Sequence, residues 1–80
     1  MTKKEKNLCE IRMDNAILKA LNSKEEYEKY ERLKKAGDEV EAEIALRRAD
    51  QETGYAEGIN DLLVSLGFKH EKMKTLSELL

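Results

Sequence analysis

Cys9 and His70 are the sole cysteine and histidine among 80 residues, and they bound the chemistry open to this chain. A metal centre needs several His, Cys or carboxylate ligands converging on one point. His70 has neither a second histidine nor the thiol near it in sequence. The Glu-x-x-His pair of a di-iron bundle is absent, because position 67 is Gly67. His70 therefore reads as a surface histidine. Cys9 sits beside Leu8 and Ile11 with no base assigned to it, which reads as a buried, inert thiol. The carboxylates Glu39, Glu41, Glu43, Asp50 and Glu52 spread around a helix rather than converging, so a solvated, ion-paired face is expected. Gly54-Tyr55-Ala56-Glu57-Gly58 lacks the Gly-Lys-Ser/Thr ending of a phosphate loop. Its Gly-x-x-x-Gly spacing suits close contact between helices instead. No catalytic, cofactor-binding or metal-binding residue is assigned, no cofactor is expected, and an enzyme is not expected.

The most specific functional pattern lies near the C-terminus. Leu62-Leu63-Val64-Ser65-Leu66-Gly67-Phe68, followed by Met73 and Leu76, has the apolar spacing of a helix-turn-helix over residues 59–78. A recognition helix would then present Lys69, His70, Lys72, Lys74 and Thr75, cations toward phosphates and His70 or Thr75 toward a base edge. Against this stand Leu63, four residues before the glycine where a small residue is usual, and Glu71 and Glu78 on the presumed DNA side. The plainer reading is a helix, a glycine stop and a docked C-terminal helix. DNA binding is kept as the alternative function.

Composition points to elements that position side chains along rods. Lys and Arg number 15 against 17 Asp and Glu, a net charge of −2, so neither a polycationic nucleic-acid binder nor an acidic tail is indicated. Charged residues make up 40% of the chain, hydrophobic residues 40%, and proline is absent. Apolar residues at helical spacing argue against disorder and for long helices. One cysteine permits no internal disulfide, which suits a reducing compartment. No stretch approaches the ~18 apolar residues of a membrane span. The start, Met1-Thr2-Lys3-Lys4-Glu5-Lys6, leads into no apolar segment like that of a signal peptide. A cytoplasmic location is expected, with no membrane partner.

The pattern predicts a single all-α domain over residues 1–80. A first helix is expected over about 4–21. Cys9, Met13, Ala16, Ile17 and Ala20 form one side of it, while Ile11 and Leu18 form another. Ser23 with Glu26 has the spacing of a capping box, which predicts a new helix from residue 24. That helix is expected to run to 66, with a break at 37–38 as the alternative. Gly37 followed by Asp38 would end one helix and start the next. Dense helix formers on both sides favour continuity. Gly67 reads as a C-terminal stop with Phe68 able to pack on Leu63, and a short helix should follow over 69–79. A heptad frame with Glu26, Leu33, Val40, Arg47 and Gly54 at one seam position, and Tyr30, Gly37, Ile44, Gln51 and Gly58 at the other, is only half apolar. Bundle-like packing through alanines and glycines is therefore expected.

Length carries the functional expectation. A helix from 39 to 66 spans ~42 Å at 1.5 Å per residue, whereas a compact chain of this size has a radius of gyration near ~12 Å. Such helices expose apolar stripes that their own chain cannot cover. The expected architecture is an elongated helical hairpin or small helix bundle completed by homodimerisation. The expected function is a non-enzymatic helical interaction module, an adaptor, regulator or inhibitor of a larger protein. Ile11, Leu18, Tyr30, Leu33, Val40, Ile44, Ile59 and Leu63 are assigned to the oligomer interface. Tyr27, Tyr30, Arg47, Arg48 and Tyr55 are assigned to partner contact, since tyrosine and arginine dominate interface hot spots.

Overall fold

A computed structural model describes residues 1–80 as three helices and no strand, with 85% of the chain helical. Helix α1 spans Lys3–Lys35, α2 spans Glu39–Ser65 and α3 spans Lys72–Leu79. The first two form an antiparallel hairpin, and α3 folds back mainly against α1. The molecule measures 52 × 17 × 16 Å with a radius of gyration of 15.1 Å. Its elongation matches the length argument.

The two boundaries in the first half of the chain differ from the expectation. No new helix starts at Ser23: α1 continues unbroken through Asn22 and Ser23. Neither glycine nor proline stands there to interrupt it, and the Ser23 hydroxyl is engaged elsewhere. It donates across the hairpin to the Ala49 carbonyl at 2.9 Å instead of capping a local N–H. The break falls at 36–38. Gly37 adopts φ +81°, a left-handed conformation that favours glycine. The Gly37 and Asp38 N–H groups then donate to the carbonyls of Lys34 and Leu33, which closes a Schellman turn. Asp38 immediately caps α2 by accepting from the Glu41 N–H at 3.2 Å. A helix stop and a helix start on adjacent residues leave only three residues in the connection, and local propensity loses to that combination. The capping box that does form is at the other end of α1. There Thr2 and Glu5 exchange bonds of 3.1 Å each, and these bonds from Thr2 hold the Glu5 carboxyl below its ordinary value.

The hairpin seam explains why the chain stays slim. Cys9, Met13, Ala16, Ala20, Ser23, Tyr27 and Tyr30 on α1 recur at alternating steps of three and four. So do Ala42, Ala45, Ala49, Glu52, Ala56, Ile59 and Leu63 on α2. This is a heptad seam, but in a different frame from the one through Glu26, Leu33 and Val40. Six of the ten buried apolar residues are alanines, and small side chains let the two backbones approach closely. The glycines take no part in that approach. Gly54 and Gly58 are exposed, and a Cβ on either would meet nothing within 4 Å.

Two clusters anchor the seam. Cys9, Met13 and Leu63 pack together near the open end, with Ile17, Ile59, Phe68 and Met73 against them. Phe68 reaches that cluster because Gly67, at φ +72°, reverses the chain. The Phe68 N–H then donates to the Leu63 carbonyl at 3.0 Å. Next along the rod, Ala16, Ala20, Ala56 and Leu76 bring all three helices to one point.

Candidate functional site

The side chains assigned to assembly separate into two groups. Leu63 is only 1% exposed and Ile59 packs against the core, so the fold itself consumes both. Tyr30 and Leu33 are half-buried near the turn. Ile11, Leu18, Val40 and Ile44 are exposed. Leu8, Leu21, Leu62, Val64 and Leu66 join this exposed set, although the sequence assigns none of them to an interface. They were findable: on α1, Leu8, Ile11 and Leu18 fall on the side turned away from Cys9, Met13, Ala16 and Ala20.

A second strip runs along α2. Ile44, Arg48, Tyr55 and Leu62 recur at i, i+4, i+11 and i+18, and all four are exposed. This spacing places them on one side of the helix, and it is not the side facing the alanine seam. Lys19 from α1 lies 5.7 Å from the Tyr55 ring centre, and its ammonium pairs with Glu52 at 3.3 Å. Glu52 therefore does not belong to a solvated face as expected, because it occupies a seam position and is half-buried. Arg47 pairs with Glu43 at 3.1 Å within one turn of α2, not between helices. Arg48 forms no ion pair, and of the two arginines it is the one on the apolar strip.

Polar groups converge where the seam passes Ser23. Its hydroxyl bonds the Ala49 carbonyl and also meets the Thr53 hydroxyl. The Tyr27 hydroxyl donates to Asp50 at 2.5 Å. A shallow depression of about 320 Å³ opens beside these residues, lined by Ala20, Ser23, Lys24, Tyr27, Thr53, Leu79 and Leu80. Such bonds lock the register of a seam whose alanines specify it weakly.

The bond to Asp50 also raises the Tyr27 pKa above its ordinary value, with burial and the Asp50 charge adding to it. Because the folded-state value is raised, the contribution is fully present below the ordinary tyrosine value and is lost as pH rises through the higher folded-state value. Asp50→Ala is expected to move the tyrosinate absorbance curve to lower pH. Superimposable curves for wild type and variant would show that the bond is not held in solution.

The presumed DNA-reading residues divide in the same way. Lys69, Lys74 and Thr75 are exposed. Lys72 is turned to Asp14 of α1 at 3.5 Å, and the His70 ring lies 3.7 Å from Glu10, an ion pair when the imidazole is protonated. The other His70 ring nitrogen accepts from the Lys72 N–H at 3.0 Å. Leu76 is fully buried against Ala16, Ala20 and Ala56, so α3 docks into the cleft of the hairpin. Cys9 is buried, as the sequence predicts. No group of three or more His, Cys, Asp and Glu side chains is placed to hold a metal ion. No helix is long and apolar enough to cross a membrane.

The class of structure is thus a small-residue helical hairpin braced by a third helix. No family model, no characterised protein and no solved structure matches the chain.

Proposed function

We propose that the protein is a non-enzymatic helical interaction module, a homodimer that presents its remaining surface to a larger protein as an adaptor, regulator or inhibitor. One observation carries this reading. The interior is made mostly of alanine, while thirteen large apolar side chains stay exposed, several of them in strips along the outer sides of α1 and α2. Isolated exposed apolar residues are ordinary, but aligned ones mark surfaces that meet something. An alanine seam buries little area per residue, so covering the outer strips would add to the apolar area that this 80-residue chain buries.

The α2 strip is the surface offered to the larger protein, since it combines Arg48 and Tyr55 with Ile44 and Leu62. Affinity capture from the native cell with wild type and with the double variant Arg48→Ala, Tyr55→Ala tests it. A protein retained by wild type and lost by the folded variant is the expected result. Equal retention by both would overturn the assignment of this strip.

A further inference from the structure

The outer face of α1 has a pattern that the hairpin leaves unused. Leu8, Ile11, Asn15, Leu18 and Asn22 follow steps of three, four, three and four. In heptad terms Leu8, Asn15 and Asn22 occupy a, and Ile11 and Leu18 occupy d. The intramolecular seam through Cys9, Met13, Ala16 and Ala20 lies on the other side of the same helix. Leu8 is 54% exposed and Ile11 and Leu18 are each 56% exposed, which is uncommon for the best-spaced apolar residues of a helix.

We infer that this face is a parallel, in-register coiled-coil seam for a second copy of the chain, with α1 paired against α1. The inference rests on the self-association proposed above and names its residues and direction. Three features select this occupant and this direction. First, the pattern is self-complementary: in register, each layer meets its own copy, Leu8 on Leu8 and Ile11 on Ile11, which a twofold axis along the helix requires. Second, Asn15 sits at an a position between two apolar layers. In register it faces a second Asn15 amide and can exchange hydrogen bonds with it, the device that fixes alignment and pair number in parallel dimers. Antiparallel pairing of Leu8 with Leu18 would set Asn15 against Ile11 and leave the amide without a partner.

Charge on the shoulders is the third feature. Parallel pairing brings Asp14, at g, to Lys19 of the second copy, at e. Antiparallel pairing would set Asp14 beside another Asp14 and Arg12 beside another Arg12. Asp14 and Lys19 already contact Lys72 and Glu52 of their own chain, yet their side chains remain 51% and 40% exposed. Each can therefore join a second ion pair. Two heptads would be marginal for an isolated peptide. Here α1 is already ordered by α2, so pairing does not carry the entropy of forming the helix.

Sedimentation of the full chain over a range of micromolar concentrations should show twice the 9.2 kDa chain mass. Ile11→Lys should abolish that species and leave the helical circular dichroism unchanged. A direct readout of direction is the double variant Cys9→Ala, Leu18→Cys, oxidised under mild conditions. A parallel seam sets the two new thiols across from one another, within the ~4.4–6.8 Å Cα separation that a disulfide needs. The antiparallel arrangement separates them by ~15 Å along the axis, ten residues at 1.5 Å each. Near-complete interchain crosslinking is expected, and adding Asn15→Val should reduce its yield as alignment is lost.

Wild type sedimenting as a monomer throughout would overturn both the self-association and the seam. A wild-type dimer that survives Ile11→Lys, or that fails to crosslink through residue 18, would leave self-association standing and overturn this seam. An unchanged yield with Asn15→Val would overturn the role given to Asn15.

Discussion

Leu63→Ala is expected to destabilise the protein by about 2–5 kcal/mol, the range for truncating a fully buried leucine. Leu63 is 1% exposed and holds Cys9 and Met13 at the open end of the hairpin. It is one of only three large side chains that are fully buried, with Met13 and Leu76. The neighbours Cys9, Met13, Ile17, Ile59, Phe68 and Met73 are held on their own helices and the turn after α2, so they close the space only in part, and transfer and cavity penalties add. For a domain of this size each kcal/mol lowers the melting temperature by ~4–8 °C, so the loss should reach at least ~8 °C. Circular dichroism checks both, the free-energy loss by urea unfolding and the temperature shift by thermal unfolding. Leu62→Ala is the matched control. Leu62 is adjacent, chemically identical and 52% exposed, so its truncation should stay within ~0.5 kcal/mol. Equal losses for the two would mean that Leu63 is not the more deeply buried of the pair and would overturn the register described, and a larger loss at Leu62 would mean that the seam is turned by one residue.

Ala56→Leu should destabilise as well, although it adds apolar surface. Ala56 is fully buried where Ala16, Ala20 and Leu76 bring the three helices together. A leucine has no volume to occupy there. It must push α2 away from α1 or displace Leu76, and overpacking of this kind costs about 1–3 kcal/mol. Because α3 is the shortest helix at eight residues, it should leave first, before the hairpin melts. Limited trypsin digestion should then cut the variant at Lys69, Lys72 and Lys74 faster than wild type, under conditions where α1 and α2 are still helical. A neutral or stabilised variant would show that the helices are not in close alanine contact at this point.

These two substitutions bear on what could be read from the chain beforehand. The all-helical class, the elongated shape and the stop at Gly67 with Phe68 packed behind it are local matters. They depend on propensity, on periodicity and on one glycine with positive φ. The separation of Ile11 and Leu18 from Cys9, Met13 and Ala16 was also legible, because large apolar residues mark their own face of a helix. Packing through alanines was legible too, but not its heptad register: the frame through Val40 and Ile44 misses Ala42, Ala45 and Ala49, because alanine contributes little to a hydrophobic pattern. Close packing selects the register through those alanines, since only small residues let two long helices touch along their length.

Ser23 and α3 show where local reasoning stops. A serine three residues before a glutamate is a sound capping signal, and it lost to a carbonyl 26 positions away that no spacing rule reveals. The apolar spacing after Gly67 fits a helix-turn-helix as well as the plainer docked brace. No spacing rule reveals that Leu76 meets Ala16, Ala20 and Ala56 across the chain, or that Lys72 lies beside Asp14. Composition and periodicity thus determined that this protein is a set of long, two-faced helices too extended to cover themselves. Tertiary structure alone decided which face the chain keeps for its own core and which it leaves open, because that choice depends on the fit between side chains distant in sequence.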